Sequence, residues 1–387
     1  MRIVWIAFVA SAFLGLLAML MKAIGKPTRP SILSIFAMVV VTASNLALAQ
    51  PATNTPLTPW GVTTSQPVAR ELTFFNDKAR LSGTLRLPDN DRANPVIVVY
   101  HGASDPLRTS SLYKHLIEMF PPLGIGVFVY DRRGSGDSSG PSAGGSFELL
   151  ADDGIAARRM LEKQPGVDPN RIGYWGLSQG GWLAALAAKR DPRCAFAIAI
   201  SAPMVTADVQ MRFAVANILR IRGYSQSVID QAVNARRGVD DFMRGKISRA
   251  EAQQRLDAAA AQPWFKLIYM DRTFHDPAKS GWAREMSNDP MSVMKTIKAP
   301  ILVLYGANDP WVPVKTSMER LEPLLHERGH TNLQLHVVSN ADHAMMTSAS
   351  PLEQVDPKST AHEAPEAPEY FAVLVQWLTS MGIATAQ

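Results

Sequence analysis

Residues 170–181 read Asn170-Arg171-Ile172-Gly173-Tyr174-Trp175-Gly176-Leu177-Ser178-Gln179-Gly180-Gly181. Arg171–Trp175 is a short β-prone run, and the residues from Gln179 to Lys189 suit a helix. Ser178 therefore falls on a sharp strand-to-helix turn. Gly176-Leu177-Ser178-Gln179-Gly180 matches G-x-S-x-G, in which a strained turn lifts the serine hydroxyl out of the chain. The glycines two places before and after it, Gly176 and Gly180, let strand and helix approach without Cβ clashes. An ordinary glycine-rich turn can carry the same five letters. The flanking strand and helix, with Gly181 extending the turn, point to Ser178 as a nucleophile. The helix N-terminus adds a field that favours negative charge beside it. A serine is a weak nucleophile at its own pKa, so it needs a base and a group that orients the base.

Working outward, the pattern is regular from Arg70 onward. Glu71–Phe75 and Leu81–Leu87 are short β-like runs. Pro95–Tyr100, Ile125–Tyr130, Phe196–Ser201 and Ile301–Tyr305 read as strands buried on both faces, and Leu333–Val338 as a further strand. Ser110–Phe120, Phe147–Gln164, Val314–His326 and Glu369–Met381 have helical spacing. Strands alternating with helices imply an α/β fold with a mostly parallel sheet flanked by helices. Residues 204–290 differ: they are helical, polar and rich in arginine (Arg212, Arg220, Arg222, Arg236, Arg237). They read as a helical cap inserted into a core made of 70–203 and 291–387.

The stretch 170–181 resembles the elbow of the α/β-hydrolase family, in its dienelactone-hydrolase, acetyl-xylan-esterase and serine-aminopeptidase-like branches. Tyr130-Asp131-Arg132-Arg133-Gly134-Ser135-Gly136-Asp137-Ser138 is similar to the D-x-R-G-x-G-x-S loop of the same branches. The resemblance covers about residues 70–385, with the cap least specific, and implies a serine hydrolase with the order nucleophile, acid, histidine.

That order places both partners after Ser178. Tyr305-Gly306-Ala307-Asn308-Asp309-Pro310-Trp311-Val312-Pro313 looks like the G-x-x-D-x-x-V-P loop that carries the acid. Asp309 at the end of a strand can accept from a histidine and fix its tautomer; an Asx-turn residue before Pro310 is the less favoured reading. Among the eight histidines, His343 follows the strand Leu333–Val338, where the family places its general base. His101, beside Gly102, belongs instead with the loop after Pro95–Tyr100. His115 and His326 fall in helices, His330 and His336 read as structural or exposed, His275 lies in the cap and His362 in a late loop. Asp342 is an alternative acid, but a side chain rarely reaches its sequence neighbour's imidazole. Acyl transfer builds charge on a carbonyl oxygen, which needs two preset N–H donors. The resemblance assigns these to the backbones of Gln179 and Ala103, with Ser104 the next choice.

Composition narrows the function. The chain has 387 residues, 47% apolar and 19% charged, which excludes a disordered chain. Cys194 is the sole cysteine, so there is no internal disulfide and no multi-cysteine metal site. Neither a metal nor a cofactor is expected. The formal charge is +5, but residues 1–49 hold four of the 39 basic residues and none of the 34 acidic ones. The rest of the chain is close to neutral, which argues against a nucleic-acid partner.

Residues 1–49 contain two uncharged apolar stretches, 3–21 and 31–50, around a basic segment, and end Ala47-Leu48-Ala49. A basic region, an apolar core and small residues at −3 and −1 read as a secretory signal cleaved after Ala49. Retention through residues 3–21 or 31–49 as a membrane anchor is the alternative. Residues 50–69, rich in Pro and Thr, read as a linker. The expected protein is thus an exported, periplasmic or secreted serine hydrolase cleaving carboxylic esters. A serine peptidase acting on short peptides with the same triad is the alternative, and a tethered non-catalytic binding protein is less favoured. The cap aromatics Trp264, Phe265, Tyr269, Phe274 and Trp282 are expected to pack between helices. The cap carboxylates Asp271, Asp276, Glu285 and Asp289 could hold a free α-amine, though solvated surface charge is the simpler expectation.

Overall fold

The computed structural model describes residues 67–384, apart from 105, 142–145, 328–331, 357 and 360–363. The leader and most of the expected linker lie outside the described residues.

Eight strands form one sheet. They are β1 (Val68–Asn76), β2 (Ala79–Leu87), β3 (Asn94–Tyr100), β4 (Gly126–Tyr130), β5 (Val167–Leu177), β6 (Ala197–Ile200), β7 (Ile301–Gly306) and β8 (Leu333–Val338). Their order is β1-β2-β4-β3-β5-β6-β7-β8. β2 runs antiparallel to both β1 and β4, and every other pairing is parallel. Chain order and spatial order cross at β3 and β4, and β3 pairs with β5. The loops after β3 and β5 are thereby neighbours. β1 opens at Val68, two residues before the expected start of the core at Arg70, because Val68 pairs with Leu87.

The helices are α1 (Lys114–Met119), α2 (Phe147–Leu161), α3 (Gln179–Arg190), α4 (Ala207–Ile221), α5 (Gln226–Met243), α6 (Arg249–Ala260), α7 (Gly281–Glu285), α8 (Met291–Met294), α9 (Val314–His326), α10 (Pro351–Val355) and α11 (Pro368–Ser380). The expected helix over Ser110–Phe120 starts as a tight 3-10 turn, Ser111–Tyr113, before becoming α1.

Every residue of β3 is buried, and its side chains alternate between two cores. Val96, Val98 and Tyr100 face Leu150, Ile155 and Leu161 of α2 and Leu183 of α3. Ile97 and Val99 face Leu116 and Met119 of α1 and Tyr370, Phe371 and Leu374 of α11. A sheet with helices on both faces must be apolar on both faces, and the continuous β-branched run in Pro95–Tyr100 reflects this.

Between β6 and β7 the chain leaves the sheet for α4–α7, which carry their own cores. Val215, Leu219, Ile229, Leu256, Trp264 and Phe265 pack together. Phe242, Met243, Ala252 and Met286 form a smaller cluster. Ser248 caps α6 by accepting from Glu251 N–H at 3.1 Å. Buried charge joins α4 to α5: Arg212 donates to Asp208 at 3.0 Å and to Asp240 at 2.8 Å. Asp240 also accepts from Trp282 Nε1 at 3.0 Å, and the Arg236 guanidinium lies 4.2 Å from the Trp282 ring centroid. The arginine-rich character of this segment is thus partly internal wiring. Four of its five flagged aromatics pack as expected. Tyr269 does not; it is 62% exposed.

Candidate active site

The site is built at the C-terminal edge of the sheet. Ser178 stands between β5 and α3 with φ 57° and ψ −119°, on the side of the φ axis that L-residues avoid. Strain of this kind costs on the order of 1–3 kcal/mol and persists where the surroundings over-determine it. The surroundings here are the two glycines. A Cβ on Gly176 would overlap the Gly180 carbonyl, and one on Gly180 would overlap the Tyr100 carbonyl. A Cβ on Gly181 would fall 2.7 Å from that of Ala202. The three glycines therefore let α3 start directly against β3 and β5, and that close approach turns Ser178 outward.

The Asp309 side chain lies after β7, fully buried. Its Oδ1 accepts from the N–H groups of Trp311 at 2.8 Å and Val312 at 3.0 Å. Its Oδ2 lies 2.7 Å from His343 Nδ1. Asp309 thus makes the Asx-type turn before Pro310 and also holds the histidine, one oxygen for each. An ionised carboxylate only accepts, so Nδ1 carries the proton and Nε2 is left as the base. Burial lowers the His343 pKa, but Asp309, and beyond it Asp342, raise it more; the net shift is upward from 6.5.

Asp342 does not hold the His343 ring. Its Oδ1 accepts from Ala344 N–H at 2.8 Å and Met346 N–H at 3.0 Å, and its Oδ2 accepts from Gln354 Nε2 at 2.8 Å. Burial pushes its carboxyl up to about 6. Gln354 Oε1 in turn accepts from His343 N–H at 3.2 Å, so α10 clamps the histidine loop from outside. Among the described residues, no hydrogen bond joins His343 to Ser178 Oγ. Contacts of this kind commonly tighten when substrate is bound.

The loop after β3 is fixed from below. Gly102 N–H donates to Tyr113 Oη at 3.3 Å. The Arg132 Nη2 group donates to the His101 carbonyl at 2.9 Å, the Gly102 carbonyl at 3.0 Å and Gln179 Oε1 at 3.0 Å. His101 is buried edge-on to Tyr113 and Tyr130. Burial, then the Arg132 charge, pushes its pKa down to about 3, so it stays neutral. Ala103 is exposed, and its N–H has no hydrogen-bond partner among the described residues. Gln179 opens α3, where a backbone N–H has no carbonyl one turn earlier. The Ala103 and Gln179 amides thus make no hydrogen bond among the described residues.

Trp311, Gln210, Asn217 and Arg132 were given no role at this edge by the sequence. Trp311 lies edge-on to His343, with ring centroids 5.4 Å apart, and Tyr269 lies 6.5 Å beyond Trp311. Gln210 and Asn217 of α4 donate to the carbonyls of Trp311 at 3.1 Å and Pro310 at 2.9 Å. The helical segment is thereby tied to the loop that carries Asp309. Only Trp311 and Arg132 had a sequence signal, since both lie inside the quoted motifs.

The remaining candidates sit apart from the site. His115 is buried with Tyr370 and Glu366, at 3.2 Å from each. His336 pairs with Glu369 at 2.7 Å. His330 and His362 lie outside the described residues. Cys194 is buried, with Sγ 3.2 Å from the Phe196 carbonyl, and burial pushes its thiol up. Among the described residues no group of three or more His, Cys, Asp or Glu is placed to hold a metal, and no helix is long and apolar enough to cross a membrane.

Comparison with known proteins gives the same picture. A family model described as serine aminopeptidase, S33, matches residues 91–349. A thiohydrolase of Aspergillus aculeatus is 33% identical over 132 residues, 34% of this chain and 40% of that one. A monoglyceride lipase homolog of monkeypox virus is 25% identical over 224 residues, covering 55% of this chain and 70% of that protein. The match spans well under two thirds of the length of the first of these relatives. Among solved structures, an esterase of Pyrococcus furiosus superposes with a TM-score of 0.52 at 17% identity, covering 81% of this chain and 91% of that one. That likeness is one of fold. The chain has the α/β-hydrolase fold, and it belongs to the serine aminopeptidase S33 family.

Proposed function

We propose that this protein is a carboxylic ester hydrolase working through an acyl-enzyme on Ser178. Ser178 Oγ attacks the ester carbonyl while His343 Nε2 takes its proton, with Asp309 holding Nδ1–H. The tetrahedral oxyanion accepts from the N–H groups of Ala103 and Gln179. His343 returns the proton to the departing alcohol. Water then loses a proton to His343, attacks the acyl carbon, and the acid leaves as Ser178 regains its proton.

The observation that favours ester over a peptide with a free α-amine is that, of the four carboxylates flagged in the cap, all but the exposed Asp271 are already engaged. An ammonium group needs a free carboxylate. Asp289 pairs with Arg320 at 2.7 Å. Glu285 is buried and accepts from Phe147 N–H at 3.3 Å and Asn288 at 2.6 Å. Asp276 accepts from Ala278 N–H at 2.9 Å, and Asp208 and Asp240 are held by arginines. Beside His343 stand Trp311 and the exposed Tyr269, which suit an apolar or aromatic group.

Residues 1–49 add a location. Their basic and apolar pattern ending Ala47-Leu48-Ala49 supports export, and N-terminal sequencing of protein recovered outside the cytoplasm tests it. The activity itself is tested with a short-chain nitrophenyl ester and an aminoacyl nitroanilide, each corrected by the Ser178→Ala background. The ester should be the better substrate by a wide margin. A faster anilide would replace the ester reading with a peptidase one.

A further inference from the structure

Arg132 is a half-buried guanidinium with no carboxylate hydrogen-bonded to it. Burial lowers its pKa, and all three of its hydrogen bonds run to neutral oxygens, those of His101, Gly102 and Gln179. Charges drawn out of water are ordinarily paired with an opposite charge. Its neighbour Arg133 shows the ordinary arrangement, with Nε 2.8 Å from Asp153 Oδ2. Arg132 instead bonds the two segments whose amides flank Ser178.

The peptide plane gives that contact a consequence. In a trans peptide the carbonyl of Gly102 and the N–H of Ala103 point in opposite directions. Fixing the Gly102 carbonyl on Arg132 therefore aims the Ala103 N–H away from it. The Gly102 N–H is already taken by Tyr113, so it cannot substitute. The bond to Gln179 Oε1 fastens the first residue of α3 to the same guanidinium.

We propose that Arg132 is a positioning residue of the acyl-transfer site: it sets the Ala103 amide against the Gln179 amide, and its charge, unpaired at rest, is complemented when the oxyanion forms. This rests on the reading of those two amides as the oxyanion donors. One nitrogen, Nη2, serves all three acceptors. An ammonium has three donors on one nitrogen and can take over much of this role, unlike a two-pronged guanidinium contact.

The test is the rate at which a fluorophosphonate labels Ser178, because attack on phosphorus uses the same oxyanion donors. Wild type, Arg132→Lys, Arg132→Met and Gln179→Met are compared, with labelling rate resolved into binding and reaction steps and thermal midpoints measured alongside. Removing one oxyanion donor costs about 100-fold or more. Arg132→Met should lose about that much in the reaction step with binding little changed, while Arg132→Lys stays within about 10-fold of wild type. Gln179→Met keeps the Gln179 N–H and should lose less than Arg132→Met. Wild type that takes no label overturns the site itself. Wild type that labels, with Arg132→Met labelling equally fast, overturns the inference alone. A loss in Arg132→Met that falls on binding, or that Arg132→Lys shares in full, also overturns it.

Discussion

His343 Nδ1 lies 2.7 Å from Asp309 Oδ2, while its sequence neighbour Asp342 bonds none of its ring atoms. The other Asp309 oxygen is held by the N–H groups of Trp311 and Val312. In Asp309→Asn those two donors keep the amide oxygen at the Oδ1 position, which turns the NH2 group toward His343. The imidazole must then accept at Nδ1 and carry its proton on Nε2, where it cannot act as a base. A kcat loss of about 10,000-fold is expected, with KM little changed. Asp342→Asn should cost only a few-fold. Equal losses in the two variants would undo the assignment.

The pH profile follows from the same neighbours. His343 must be neutral to accept the Ser178 proton, and its pKa is raised from 6.5. Activity is therefore lost as pH falls, with a kcat/KM midpoint above 6.5. Asp342, with its carboxyl at about 6, titrates close by, so the limb belongs to the pair. The Asp342 carboxylate favours the imidazolium, and Asp342→Asn removes it. The limb should then move to lower pH and follow a single proton. A limb that stays in place means Asp342 does not act on His343.

Buried charge next to Arg132, in the loop after β4, gives a stability test. Arg133 bonds both oxygens of Asp153, and Asn76 donates to Asp153 Oδ1 at 2.7 Å. Arg133 and Asp153 are both almost fully buried. Arg133→Met leaves Asp153 charged, with Asn76 as its remaining side-chain partner, and should cost about 3–5 kcal/mol. Urea unfolding measures this, and a cost under about 1 kcal/mol would show that water reaches the site.

The elbow glycines test the fold at the nucleophile. A Cβ on Gly180 would overlap the Tyr100 carbonyl, and the backbone of β3 cannot retreat from the middle of the sheet. Gly180→Ala should lose about 1–3 kcal/mol of stability and most labelling of Ser178. Near-normal stability and activity would mean that the close packing does not hold Ser178 in place.

The parts legible in the sequence were those fixed by short-range pattern. Pro95–Tyr100 announces a doubly buried strand because both faces of β3 are covered. Gly176, Gly180 and Gly181 announce the elbow because a Cβ does not fit at these places. Arg132 sits in plain view in Asp131-Arg132-Arg133-Gly134, yet nothing local separates it from Arg133. One meets a carboxylate from α2, and the other meets carbonyls after β3 and a side chain of α3. The difference lies in the strand order, which puts the β3 and β5 ends together. Tyr269 was read as packing with the other cap aromatics because spacing alone does not show which ring is left outside. The double use of Asp309 was also hidden: the motif sets an acid against a turn residue as alternatives, and the two oxygens supply both.

The most direct test of the account is the acyl-enzyme itself. The purified protein is mixed with a nitrophenyl ester, quenched during turnover, and examined by intact and peptide mass spectrometry. An adduct equal to the acyl group is expected on the peptide containing Ser178, with a burst of nitrophenol, and neither should occur in Ser178→Ala. Ester turned over equally by wild type and Ser178→Ala, with no adduct on Ser178, would contradict it.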